Sequence, residues 1–439
     1  MDTGPPAGSR PGRRARIART SIAIAAGIVV LLALAVHALL EPQRASRLLL
    51  GRIGASLGLE IDAAGRAEYR LRGTPMLVVR DVSVREPGAA RELLHAGRIM
   101  VSVPWSTIRA GGGVLAARRL ELDAPQVDLP ALQHWLATRP PSKQPQLPTF
   151  VDGVRIRDGR LANDDWSIDG IQLDLPRLAA DEAAHARLRA RYLDPPLSIA
   201  ADLAIAVTDP GALIRDARTG FAASGRITVR RGSDWTLPGW IVLSGPLRFG
   251  ADELRLQPAR IGVAAQWESG TTRVPFALGA QGPLLFDEAV WQLADAGIEL
   301  RGRGGAPAAG PVPPLRARGQ LALGHRLVLR LRGDIADWPG AWPALPAPLD
   351  APSPMPFVLD YTGAPDLGDV ASLALRRGTA ALDARFRLAD VQAWLAADAA
   401  NPLPPLDARL RAPVLELDGA RLEGVEATFD APGVDDDRR

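Results

Sequence analysis

Residues 186–207 read ARLRARYLDPPLSIAADLAIAV, and their pattern decides the fold class. Ala186, Leu188, Ala190 and Tyr192 alternate with Arg187, Arg189 and Arg191. Past Asp194-Pro195 the alternation resumes as a stripe of Leu197, Ile199, Ala201, Leu203, Ile205 and Val207. A period of two places neighbouring side chains on opposite sides of an extended chain, so each half is a strand with one apolar and one wet face. Such clean alternation belongs to antiparallel pairing, since parallel strands buried on both faces read as continuous apolar runs.

The same period governs the chain from about Ile61 to Phe429. Ile261, Val263, Ala265 and Trp267 lie opposite Gln266 and Glu268, and Leu327, Leu329 and Leu331 face away from Arg326, Arg330 and Arg332. Leu382, Ala384, Phe386 and Leu388 alternate with Asp383, Arg385 and Arg387. Turn dipeptides separate the runs: Asp158-Gly159, Asp169-Gly170, Asp194-Pro195, Asp209-Pro210, Ser269-Gly270 and Asp418-Gly419. At Asp169-Gly170 the apolar phase switches, which predicts a hairpin turn or a bulge. No βαβ pattern recurs, which argues against doubly wound and TIM-barrel folds. Two short helices are predicted, LPALQHWLA from Leu129 and LADVQAWLA from Leu388, each fed by a strand and each carrying a tryptophan, Trp135 or Trp394. Leu132/Leu136 and Val391/Leu395 are the i,i+4 pairs that seat them.

Composition narrows the chemistry. The 439 residues contain no cysteine, a single lysine, Lys143, among 52 basic residues, and five scattered histidines. Thiol catalysis, zinc–thiolate sites and lysine Schiff-base chemistry are therefore excluded or starved of material. Five arginines against Asp2 in residues 1–20 exceed the net charge of +3 of the whole chain, so the basic excess is a tail and not a folded nucleic-acid footprint. Ser21–Leu40, SIAIAAGIVVLLALAVHALL, has the length of a bilayer span, and the arginines before it place the N-terminus in the cytoplasm. A cleaved signal peptide with a site at Ala33-Leu34-Ala35 is the alternative. His37 is read as an interface residue.

The predicted organisation is a basic tail (1–20), a transmembrane helix (21–40), an amphipathic linker helix (41–60), an N-terminal β unit (61–140), a proline-rich linker (141–150), a β body (151–430) and an acidic tail (431–439). Further proline-rich stretches at Gly304–Pro314, Pro339–Pro356 and Pro402–Pro405 interrupt strand pairing. No H-E-x-x-H, P-loop or strand-borne G-x-G-x-x-G occurs. The G-x-S-x-G at Gly54–Gly58 has no strand before it and is read as helix packing. Asn163, Asp164, Asp165 and Asp169 are read as turn-capping groups, not a calcium site. Trp235, Trp240, Trp338 and Trp342 lie near loops, as filling for core or sheet ends, or as interfacial or sugar-stacking residues. No catalytic residue, metal ligand or cofactor is predicted.

The Ile53–Pro141 segment, with IGASLGLEI, PMLVVRDV at Pro75–Val82, Trp105 to Ile108, and RLELDAPQVDL at Arg119–Leu129, resembles the N-terminal region of the AsmA family of envelope proteins. GVRIRDGRL at Gly153–Leu161 and LDGARLEGV at Leu417–Val425 are similar to that family's recurrent strand pairs. The resemblance implies an elongated, curved, taco-like antiparallel β-groove behind a single inner-membrane anchor, with the bulk of the chain periplasmic. It also implies phospholipid partners, and a part in intermembrane lipid transfer or outer-membrane biogenesis beside an envelope protein partner, without nucleic acid. The residues expected to meet acyl chains, collectively, are Leu197, Ile199, Leu203, Ile205, Val207, Leu327, Leu329 and Leu331. Two other readings stand beside it. One is a structural or secretion-assembly factor with a closed β body and no lipid. The other is an envelope enzyme with carboxylates hidden on the scaffold.

Overall fold

A computed structural model describes residues 58–430, apart from 66, 71–72, 106–115, 139–146, 251–252, 288–289, 304–310, 341, 343–344, 346–353, 366, 397–404 and 418–419. The expected tail, transmembrane segment and most of the linker helix lie outside the described residues, as do the acidic tail and Lys143. Among the described residues no helix is long and apolar enough to cross a membrane. The chain is mainly β, predominantly antiparallel, with few helices. It divides into two compact units. One holds the residues up to Asp194 with Val207–Thr219 and Arg248–Leu254; the other holds Pro195–Ala206, Gly220–Leu247 and everything from Arg255.

The first unit contains β1 (Glu60–Ala63), β2 (Glu68–Arg70), β3 (Met76–Arg85), β4 (Glu92–Ser102), β5 (Ala116–Ala117), β6 (Arg119–Asp128) and α1 (Leu129–Ala137). It continues through β7 (Thr149–Phe150), β8 (Val154–Ala162), β9 (Ser167–Leu175) and β10 (Ala184–Asp194), and a single turn of helix, α2 (Pro210–Ile214). β1 and β2 both pair with β3, and the sheet then runs β3–β4–β6–β8–β9–β10. Every pair in that sheet is antiparallel except β6–β8, which is parallel. Parallel neighbours need a crossover, and α1 lies within it. Asp128 caps α1 by accepting from the Ala131 amide at 2.9 Å, with Pro130 in the first turn. Leu132 and Trp135 of α1 join Leu77, Val79, Leu94, Ile99, Val101, Leu120 and Phe150 in one core. Because Trp135 and Val154 share that core, it takes in residues on both sides of the expected proline-rich linker.

Two of the predicted turns are bulges inside strands. Asp158, at φ +50°, lies within β8, and Gly170, at φ +60°, lies within β9. Register shifts in β8–β9 and β9–β10 accompany them. The extra residue explains the phase switch in the sequence. The β8–β9 hairpin closes instead through the Asn163 amide donating to Trp166 O at 2.8 Å.

The second unit contains β11 (Leu197–Val207), β12 (Thr219–Arg231), β13 (Trp235–Phe249), β14 (Leu254–Ser269), β15 (Thr272–Asp287), β16 (Val290–Gly302) and β17 (Leu315–Leu323), apart from the end residues Val207, Thr219, Arg248, Phe249 and Leu254, which belong to the first. Next come β18 (Leu327–Ile335), β19 (Met355–Gly363), β20 (Val370–Arg377), β21 (Ala380–Arg387), α3 (Leu388–Ala396), β22 (Leu406–Leu417) and β23 (Ala420–Phe429). From β15 to β23 each strand pairs antiparallel with the next. Gly319 of β17 and Gly333 of β18 permit unusually close strand approach. A Cβ would fall 1.8 Å from Arg330 O at the first and 1.9 Å from Arg316 O at the second. Mid-strand glycines of this kind mark tight bends.

Candidate functional site

The registers of β15–β23 sort the side chains into two faces. One row of opposed residues runs Leu284, Leu293, Leu321, Leu329, Tyr361, Ala371, Phe386 and Leu406. A second row on the same face runs Leu331, Leu359, Leu373, Ala384, Ala408 and Phe429. A third contains Ile298, Ala317, Gly333, Phe357, Leu375 and Leu382. The alternate positions carry charge: Glu299, Arg316 and Asp334 stand opposite one another, as do Gln320, Arg330, Asp360, Ser372, Arg385 and Asp407. The ladder is thus amphipathic across the seven strands from β16 to β22.

The apolar face is covered unevenly. Ile298, Ala317, Ile335, Met355, Phe357 and Leu375 are buried, with Trp338 and Leu345 from the β18–β19 connection packed against them. Trp338 in turn meets Trp342 edge-on, 4.9 Å between ring centres. Leu321, Leu329, Leu331, Leu359 and Leu373 are only half-buried. At the other strand ends Leu323 is 47% exposed and Trp291, its ring centre 4.6 Å from that of Phe286 and tilted 39° to it, is 40% exposed. Leu293, Tyr361, Ala371, Ala384 and Ala408 of the first two rows are buried as well, so the exposed part of the face is at Leu323 and Trp291.

Leu327, Leu329 and Leu331, expected from the sequence, lie on this face and are half-buried. Leu331 packs on the buried cluster. Leu197, Ile199, Leu203, Ile205 and Val207 are half-buried along β11, and that cluster takes in none of them. The sequence reading missed Leu293, Leu321, Leu359 and Leu373. In β16 the reason is a bulge: Asp295 sits at φ +45°, and the apolar phase jumps from Trp291 and Leu293 to Ala296, Ile298 and Leu300. Trp291 and Phe286 were findable as aromatics flanking a short turn.

Charged groups are tied to one another. Arg98 donates to Asp123 at 2.7 Å and to Glu121 at 3.5 Å, and these bonds raise the guanidinium pKa further. Asp164 pairs with Arg91 at 3.3 Å and Asp169 with Arg160 at 3.2 Å, so both of these carboxylates of the Asn163–Asp169 group face arginines. Among the described residues no group of three or more histidines and carboxylates is placed to hold a metal ion. A shallow polar hollow of about 380 Å³ opens on the charged face, where Asp360, Asp383 and Asp407 interleave with Arg385 and Arg409. No family model, curated protein or solved structure matches this chain.

Proposed function

We propose that this protein binds phospholipid acyl chains along the apolar face of β15–β23, and through it serves lipid transfer between membranes and outer-membrane biogenesis. The single observation behind this reading is the set of in-register apolar rows, half-buried over several strands and open at Leu323 and Trp291. A large exposed apolar patch marks a partner. Each CH₂ that such a face removes from water is worth about 0.8 kcal/mol. Head groups stay in solvent, so transfer needs no covalent chemistry and no catalytic residue. The resemblance of Ile53–Pro141 to the AsmA family supports the same reading. It adds an inner-membrane anchor at 21–40, a periplasmic body shaped as a curved groove, and an envelope partner.

The test is lipid analysis of the chain from Glu41 onward, exported and purified without detergent, by native mass spectrometry and by extraction. Several phospholipids per chain are expected. A lipid-free, monodisperse protein would turn the reading to a closed β body that assembles with another envelope protein. The buried end at Ile335 and Met355 favours that second reading.

A further inference from the structure

Glycines inside the strands of the second unit are mostly required by their neighbours. A Cβ on Gly225 would lie 2.0 Å from Asp202 O, and Gly319 and Gly333 are as crowded. Gly262 of β14 and Gly279 of β15 differ. Neither has a positive φ, and a Cβ on either would meet nothing within 4 Å. Glycine weakens a strand interior, and where the backbone conformation does not demand it, it marks a place where something else comes close.

Both glycines open on one hollow of about 860 Å³ on the charged side of the sheet, with Ala264 and Ala277 in its floor. That is the size of a small-ligand site. One wall is Trp240, 48% exposed, with the exposed Val242 beside it. The opposite wall carries Glu299 and Arg316, paired at 3.2 Å, then Arg301 and Asp334. Among the described residues the side chains of Arg301 and Asp334 have no hydrogen-bond or ion-pair partner.

Two carboxylates and two guanidiniums cancel. An anion would meet the carboxylates and a cation the guanidiniums, so neither is selected by charge. What the wall offers is an acceptor in Asp334 and a forked donor in Arg301. Vicinal hydroxyls both donate and accept. A flat ring with hydroxyls on its rim would rest on the bare floor and stack against the indole. Proline-rich peptides dock in grooves lined by several aromatics, and here there is one. We propose that this hollow binds sugar rings of a glycan chain. Trp240 is the stacking platform, Gly262 and Gly279 leave room for the ring, and Arg301 and Asp334 hold its hydroxyls.

The experiment titrates the full chain, in a non-glycosidic detergent, with cellotetraose, chitotetraose and maltotetraose by calorimetry. Binding of at least one is expected. Trp240→Ala and Gly279→Leu should each weaken it by about tenfold or more, while Trp240→Phe retains part of it. Gly279→Leu fills open space and should melt at the wild-type temperature; if it does not, Trp240→Ala carries the test. Absence of binding to all three sugars overturns the proposal. So does binding that Trp240→Ala and Gly279→Leu leave intact, or capture of an oligoproline peptide where no sugar binds. Lipid content measured on the same variants should not change, because these residues lie opposite the apolar rows.

Discussion

The two units start from the same material, amphipathic strands, and cover it differently. In the first, the chain leaves β6 into α1 and returns as β8, parallel to β6. A parallel return needs a long connection, and here that connection lays Leu132 and Trp135 onto the sheet. Leu120 and Phe150 end up 0% exposed. In the second, β15–β23 is a meander in which each strand turns back on its neighbour. Short antiparallel turns bring no covering layer with them. Three connections are longer: β16–β17, β21–β22, which carries α3, and β18–β19, which contributes Trp338 and Leu345 to the buried end of the face. Connection type therefore separates a closed core from an open face built of similar residues.

The largest effect should come from the closed core. Phe150→Ala removes an aromatic from a site with no room to collapse and should cost about 3–5 kcal/mol in denaturant unfolding of the first unit. Leu329→Asp, at a half-buried position between half-buried Leu321 and buried Tyr361, should cost about 1–2 kcal/mol and reduce bound lipid per chain by mass spectrometry. Equal destabilisation by the two would erase the contrast, because Leu329 would then behave as core. Ile199→Asp asks the same of β11: lipid loss without unfolding places that stripe with the open face, and unfolding places it with the closed one.

How far the sequence foretells this contrast depends on which interactions are local. The alternation of Leu327, Leu329 and Leu331 with Arg330 and Arg332 is written in five residues, and β18 follows it. The helices at Leu129 and Leu388 were legible from the i,i+4 spacing of Leu132/Leu136 and Val391/Leu395. Bulges were not. Asp158-Gly159 reads as a turn because the same residues favour a positive φ in either setting, and only pairing with β9 makes it a bulge. The parallel β6–β8 pair was hidden for a similar reason, since strand partners are set by packing over distance. At the candidate site, β17 and β18 were visible as stripes. That their rows align across nine strands is a property of register, which no single stripe contains.

A smaller effect probes the device that closes the first unit. Asp128→Ala removes the acceptor for the Ala131 amide at the start of α1 and should lower stability by about 1 kcal/mol. Because α1 covers the core, the loss should appear as faster amide exchange around Leu132 and Trp135. Unchanged exchange there would mean that the helix is held by packing alone.

The smallest effect separates the charges of the two units. At the last hairpin Glu426 accepts from Arg409 and from Arg411, the latter at 3.2 Å, with all three side chains about half exposed, and these bonds hold its pKa below the ordinary carboxylate value. A depressed folded-state pKa means the contribution is present above the unfolded value and lost as pH falls through the folded one. The β22–β23 pairing should therefore loosen only in acid. A carboxyl-carbon NMR titration should place Glu426 lower in the wild type than in Arg409→Gln/Arg411→Gln. Salt near ~1 M should close most of that gap, since exposed pairs are screened within a few ångströms. The Arg98–Asp123–Glu121 group of the first unit is only partly exposed, and buried charges feel salt less. Arg98→Gln should therefore cost as much stability at ~1 M salt as in dilute buffer; a cost seen only in dilute buffer would make the first unit as open to solvent at its polar contacts as the second is along its ladder.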